Sequence, residues 1–488
     1  MRLQSAAALI LFILISGCAL AQDLGGFVGT VTDPSGAPIP GTDITVSNPA
    51  KGFLRHVTSN NDGGYVVPRA PLGSYVITAE KSGFQKLVRT AVTLSAGDTL
   101  RVDFALQVGS VSEQITVNSA AAKVDTESGA ISDVVTGSQV TQLNLNARNF
   151  ANLATLVPGA ASLSTGFDPS SVGVLANATI AFNGVPGNFN NWEIDGVNNV
   201  DQGSGSNSLM VYPSVDSIAE FRISTSNYSA EYGKSGGGNI EVVTKSGTRD
   251  FHGDLFEFVR NDKFDANDWF INRTITGDGS SAPKTPLKRN NFGFTIGGPI
   301  VIPGHYNVER NKTFFFVSEE WRKNREGTVI DREVPTVRMR DGDFSECNAA
   351  SPNYNAVVAS GCALPVDPTT GLLYPNDKVP INSTGAALLN GLVPLPNNGV
   401  NRYTTAPSLP TNFRQDMVRV DENFTDNLRL FVRYTQDAYE QEFVPSLWTS
   451  ADFATVKSTW TSPAKSFVTH LTQILTPNLL NEVIVSFS

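Results

Sequence analysis

Few stretches of this 488-residue chain place reactive residue types at a spacing that does chemistry. Gly233-Lys234-Ser235 has the lysine and hydroxyl that close a phosphate-binding loop, but the earlier glycine of that motif falls at Tyr228. Without it the backbone cannot form the anion cradle. Gly233 to Gly237 also reads G-x-S-x-G, yet no apolar strand leads into it and no His/Asp pair is identifiable, so a glycine turn is the expectation. Asp195, Asn198, Asn199 and Asp201 offer the closely spaced oxygens that a hard cation wants, against the simpler reading of a hydrogen-bonded turn. Asn60, Asn61 and Asp62 pose the same choice, and a plain turn is preferred because the other oxygens of a calcium loop are missing. Cys18, Cys347, Cys362 and the four histidines show no metal-ligand spacing. The sequence therefore assigns no catalytic, cofactor or metal residue.

The elements around these stretches are built for β structure. Charged residues make up 17% of the chain, below the usual ~25%, while 42 glycines and 27 prolines supply turns. A formal charge of −10 repels phosphate backbones and excludes a nucleic-acid partner. Arg2, the apolar run Ala6 to Ile15 and the small residues after it have the layout of a secretory signal over residues 1–21. Two processing routes compete: cleavage after Ala21, which the Ala19-Leu20-Ala21 pattern favours, and lipidation of Cys18 after Ile15-Ser16-Gly17. No later stretch is apolar for long enough to cross a bilayer as a helix.

Residues 22–110 alternate apolar and polar positions between regular turn signals, as in a small β-sandwich. The expected strands are 26–32, 43–47, 55–58, 65–67, 73–80 and 99–106. Residues 111–245 change texture to Asn, Ser, Gly and short apolar pairs, as in a compact α+β domain, with short helices over 139–143 and 149–156 stopped by Pro158-Gly159. Between the two domains lies a β-prone run, Glu113-Gln114-Ile115-Thr116-Val117, which by pattern is an edge strand. From 246 to 488 period-2 alternation recurs in the manner of transmembrane β-strands, with Leu428, Leu430, Val432 and Tyr434 on one face and Arg429, Arg433 and Thr435 on the other. Further strands are expected near 254–260, 291–297, 312–320, 413–421, 466–475 and 482–487. Phe314, Phe315, Phe316 and Trp321 suggest an aromatic girdle. Residues 327–410 are rich in Pro and Asn and too long for a hairpin, hence an exposed outer loop. Cys347 and Cys362 both lie in it. In an oxidising compartment a disulfide is expected between them, rather than two free thiols.

Three sets of residues carry a resemblance. GTVTDPSGAPIPGTDITVSN (29–48) and NNDGGYVVPRAPLGSYVITAEKSGF (60–84) resemble the carboxypeptidase regulatory-like domain. LNLNARNFANLATLVPG (143–159), FNGVPGNFNNWEIDGVNNVD (182–201) and VDSIAEFRISTSNYSAEYGKSGGGNIEVVTKSGTRDFHG (215–253) resemble the plug of Oar-like TonB-dependent outer-membrane receptors, with RNNFGFTIGGPIV and NKTFFFVSEEWR following in order. The resemblance implies a non-catalytic sandwich, a plug, a β-barrel in the outer membrane, and a Ton box at Glu113–Asn118 that meets the periplasmic TonB protein. It also implies uptake of an extracellular ligand such as an oligosaccharide, peptide or chelate. The alternative is a surface adhesion or structural protein without transport, and TonB binding separates the two. The roughly 160 residues that follow 245 outside the long loop hold seven or eight strands of about 9–11 residues, against 22 in plugged transporters. The expectation is an incomplete barrel in an N-terminal fragment, a truncated gene product or a split receptor.

Overall fold

The computed structural model describes residues 25–109, 114–118, 126–143, 145, 148–162, 180–201, 209–230, 232–233, 235–273, 284–327, 329–444, 457–476 and 479–488. The signal segment with Cys18, and Glu113 of the Ton box reading, lie outside the described residues. Within them the fold is mainly β, as the alternation and turn content imply.

The first domain contains β1 (Gly25–Thr32), β2 (Asp43–Asn48), β3 (Phe53–Thr58), β4 (Gly64–Ala70), β5 (Gly73–Glu80), β6 (Lys86–Leu94), β7 (Thr99–Arg101) and β8 (Phe104–Ala105). A ninth strand, β9 (Gln114–Asn118), joins it from the linker. One sheet runs β4-β1-β7, with β8 also on β1, and the other runs β3-β2-β5-β6-β9. Every second residue of β1 is buried, so Phe27 and Val31 point into the space between the sheets. There Tyr75 meets Phe27 and Phe53 edge-on, with ring centroids 5.0 and 5.5 Å apart. Gly29 is required by close approach: a Cβ there would sit 2.1 Å from the Val102 carbonyl oxygen.

The middle domain holds β10 (Ile131–Thr136), β11 (Ala160–Ser162), β12 (Ile180–Phe182), β13 (Asn191–Ile194), β14 (Val197–Asn198), β15 (Ile218–Ser226) and β16 (Asn239–Thr244). Its main sheet has the order β10-β15-β16-β13-β14, with β13 parallel to β16. A helix at Gly137–Gln142 starts with a capping box, Thr136 accepting from the Gln139 N–H and the Gln139 side chain accepting from the Thr136 N–H. A 3-10 helix at Phe150–Leu156 follows. Phe150 packs edge-on against Trp192 and Phe221, fixing that helix to the sheet. All six residues of β16 are buried, because it lies inside the sheet with covered faces.

The third region is one antiparallel sheet. Its strands are β17 (His252–Asn261), β18 (Leu287–Pro299), β19 (Thr313–Gly327), β22 (Ser408–Thr425), β23 (Leu428–Phe443), β24 (Ser458–Thr461), β25 (Ala464–Thr476) and β26 (Leu479–Phe487), while β20 (Ile330–Glu333) and β21 (Arg402–Thr405) pair in the long loop. The order is β17-β18-β19-β22-β23-β25-β26, with β24 against β23. Among the described residues β17 and β26 are its two edges and do not pair with each other, so the barrel sheet is open. Phe413, Gln415, Met417 and Arg419 of β22, and Arg433, Thr435, Asp437 and Tyr439 of β23, face inward. The inward face meets the middle domain: Phe413 and Tyr439 belong to that domain's core. The girdle reading needs correction. Phe314 and Phe316 are buried on the inward face, so only Phe315 and Trp321 point outward; Trp321 stacks on Phe292 at 5.4 Å. Strict alternation along β19 forces this split of the Phe run.

The long loop is folded rather than structureless. It carries the β20–β21 hairpin and a helix at Ser383–Leu392 capped by Asn382. Cys347 and Cys362 are joined in a disulfide, with Cα atoms 6.1 Å apart.

Candidate functional site

The chemistry-bearing side chains gather where the middle domain meets the barrel sheet. Asp195 sits in the tight turn between β13 and β14 with φ +50°, followed by Gly196 at +77°. That turn drives its carboxylate against the sheet, where it is fully buried. Oδ1 accepts from the Thr244 N–H at 2.9 Å and Oδ2 from the Thr244 hydroxyl at 2.8 Å. From β23, Arg433 Nη1 donates to Oδ2 at 2.8 Å; from β22, Arg419 Nη1 donates to Oδ1 at 3.3 Å. Burial alone would raise the Asp195 pKa, but Arg433, Arg419 and the Thr244 bonds overcome it and hold the carboxyl below its ordinary value. These four donors occupy both oxygens of the Asp195 carboxylate, and Asn199 spends its amide on the backbone of Val211.

A second cluster centres on Glu320 of β19, also fully buried. It accepts from Arg322 Nε at 2.8 Å, lies 3.5 Å from Arg148 Nε, and accepts the Ser214 hydroxyl proton. Arg148 extends from the middle domain, pairs with Asp216, and lies over the Phe256 and Phe258 rings of β17 at 4.7 and 4.4 Å. Asp437 accepts from the Tyr212 N–H at 2.6 Å, and Gln415 accepts from the Ser214 N–H at 2.5 Å. The buried charges of Arg148, Glu320 and Arg322 survive because they are paired with one another. The sequence reading missed them because, Glu320 and Arg322 aside, the partners stand far apart in the chain. The available signal was charge at inward alternation positions: Glu320 and Arg322 on β19, Arg419 on β22, Arg433 and Asp437 on β23.

The sandwich is tied to both neighbours. Arg222 of β15 donates to the Ala96 carbonyl at 2.9 Å and to Asp98 at 3.1 Å, while Glu220 accepts from the Ala96 N–H. Arg55 reaches Asn427 and the Asp426 carbonyl in the β22–β23 turn, and Lys51 reaches Ser246 and Gly247. Burial pushes the Lys51 ammonium down to about 8, against a raising effect of Asp421.

Of the segment Glu113–Val117, the structure places Gln114–Val117 in β9, paired in parallel with β6 in the register Lys86↔Gln114, Leu87↔Ile115, Val88↔Thr116, Arg89↔Val117 and Thr90↔Asn118. Ile115 packs against the sandwich core, and the other residues of β9 are exposed. Asn60 accepts from the N–H groups of Asp62 and Gly64, closing its own turn. Ser235 donates to the Gly238 carbonyl at 3.0 Å and so serves a glycine turn; Lys234 lies outside the described residues.

With this geometry in view, residues 243–488 match the model of the family described as outer membrane beta barrel domain. The chain belongs to that family. It is an outer-membrane protein. Residues 26–107 of this barrel protein match the carboxypeptidase regulatory-like domain. The chain is 26% identical over 314 residues to the TonB-dependent transporter Oar of Myxococcus xanthus, covering 62% of this chain and 27% of that protein. It therefore spans about a quarter of the length of that relative. Among solved structures it is similar to the outer membrane transporter YddB from Escherichia coli, with a TM-score of 0.44 and 10% identity over 73% of this chain and 38% of that one. It is also similar to the siderophore receptor PirA from Acinetobacter baumannii, with a TM-score of 0.31 and 13% identity over 73% and 47% of the two chains.

Proposed function

We propose that this outer-membrane protein is a TonB-dependent receptor that takes up an extracellular ligand, does no covalent chemistry, and draws its energy from periplasmic TonB. In this reading residues 111–245 form the plug and residues 113–118 form the segment that TonB grips. The observation that carries it is the seat of the middle domain against the inward face of the barrel sheet, pinned by Asp195 to Arg419 and Arg433. A domain pinned in place by buried ion pairs can be displaced as a unit once those pairs are broken. Similarity to the Oar transporter supports the same reading. The β-prone segment supports the TonB contact, since an extended peptide lends its backbone hydrogen bonds to a partner's sheet edge.

The test is binding of the purified periplasmic domain of TonB to the full chain. Replacing Ile115 by Pro removes one N–H and fixes φ, and binding is expected to fall at least tenfold. Unchanged binding by Ile115→Pro would remove this segment from the reading. No binding by the unsubstituted chain would favour an adhesive or structural role.

A further inference from the structure

The segment proposed to meet TonB is already paired. Strand β6 would be the outer strand of its sheet, and β9 occupies that edge over five register pairs, from Lys86↔Gln114 to Thr90↔Asn118. An uncovered sheet edge is a template for another strand, so the sandwich offers this segment the kind of surface that a strand-accepting partner offers.

We infer that the β6 edge is a docking surface that residues 114–118 occupy in exchange with TonB. This rests on the reading of that segment as the TonB contact. Two features support exchange over simple addition of TonB to the outside of β9. Ile115 and Val117 share one face by the period of two; Ile115 packs there on the sandwich core, while Val117 is exposed. The opposite face presents Gln114, Thr116 and Asn118, all exposed and polar. A partner that needs Ile115 in its own pocket must therefore take the strand away.

The tether sets the strength of the competition. Gly109 is held by a hydrogen bond from its N–H to the Gly83 carbonyl at 3.1 Å, and only residues 110–113 separate it from Gln114. So short a link keeps the strand at an effective concentration on the order of millimolar for its own docking edge. Parallel pairing over five residues is among the weaker sheet contacts, which keeps release cheap. The apparent affinity for TonB is then the intrinsic affinity reduced by the fraction of chains with the strand free.

Lys86→Cys with Gln114→Cys in the full chain tests this, because the two positions are register partners near the surface. Mild oxidation is expected to join them, as mapped by mass spectrometry, and the oxidised protein is expected to bind the periplasmic domain of TonB at least tenfold more weakly than the reduced one. The unsubstituted chain under the same redox conditions controls for Cys347–Cys362. Failure of the cross-link to form overturns the docked strand. A cross-linked protein that binds TonB as well as the reduced form overturns exchange, and means that TonB uses the outside of β9 or another segment. If the unsubstituted chain does not bind TonB either, the failure lies in the underlying reading of the segment, and the inference falls with it.

Discussion

Arg433 of the barrel sheet donates to Asp195 of the middle domain at 2.8 Å, joining two fully buried side chains that lie 238 positions apart in the chain. Removing one member of such a pair leaves an uncompensated charge in the interior, at a cost of about 3–5 kcal/mol. Asp195→Asn keeps the shape but not the charge: Arg433 and Arg419 both lose this carboxylate, and Arg419 keeps Asp421 at 2.8 Å. The expected outcome is a loss of that size in urea unfolding followed by Trp192 fluorescence, with the sandwich unaffected. A change below about 0.5 kcal/mol, the range of ordinary surface substitutions, would mean that the middle domain is held by other contacts.

The same carboxylate makes a pH prediction. Its pKa is lowered in the folded protein, so the stability it contributes is fully present above the unfolded value of about 3.9 and is lost as pH falls through the lower folded value. Acid titration from pH 5 to pH 2 should weaken the contact between the middle domain and the barrel sheet. Asp195→Asn should flatten that part of the profile in a protease-protection assay of the middle domain.

Lys51 should act at the other end of the scale. Its folded pKa of about 8 lies below the unfolded 10.5, so the unfolded chain binds more protons between these values. Stability should rise as pH rises through that window. Thermal unfolding at pH 8, 9 and 10 checks the direction, and Lys51→Met should remove the slope while leaving the barrel sheet in place.

The disulfide should matter locally. Closing a loop of 15 residues contributes about 3 kcal/mol to the segment it spans. Cys347→Ser with Cys362→Ser is expected to speed protease cleavage within residues 337–392 and to leave cleavage of the middle domain unchanged. Equal cleavage rates in the loop would show that the β20–β21 hairpin and the capped helix already hold it.

What was legible follows from how local each signal is. The strands 26–32 and 73–80 stood out because one face of each is buried and the other wet. Strand Lys86–Leu94 did not, because Ala91 adopts φ +56° and the register with β5 shifts between Tyr75 and Ile77, so its burial pattern loses the period of two. The single strand expected over 99–106 is split into β7 and β8: Asp103 turns to accept from the N–H and hydroxyl of Thr30. The barrel strands were found but drawn short. In β22 the outward residues Asn412, Arg414 and Asp416 are polar like many inward ones, and the alternation that marks a membrane strand fades. The pairing of Asp195 with Arg419 and Arg433 was not legible at all, since nothing local links residues more than 200 positions apart.

The length of those strands carries a consequence for what approaches from outside. Strands β19, β22 and β23 have 15, 18 and 16 residues. At about 3.3 Å per residue and a tilt near 45° they rise roughly 35–42 Å, more than the ~30 Å of hydrocarbon they cross. Outward of Phe315, Val418, Leu430 and Val432 the exterior turns ionic, with Arg414 bridging Glu319 at 2.6 Å and Asp416 at 3.0 Å. A collar of protein thus stands clear of the lipid and lifts the disulfide-bonded loop above it. Antibodies, phage fibres or proteases too large to slip between headgroups would touch that collar first.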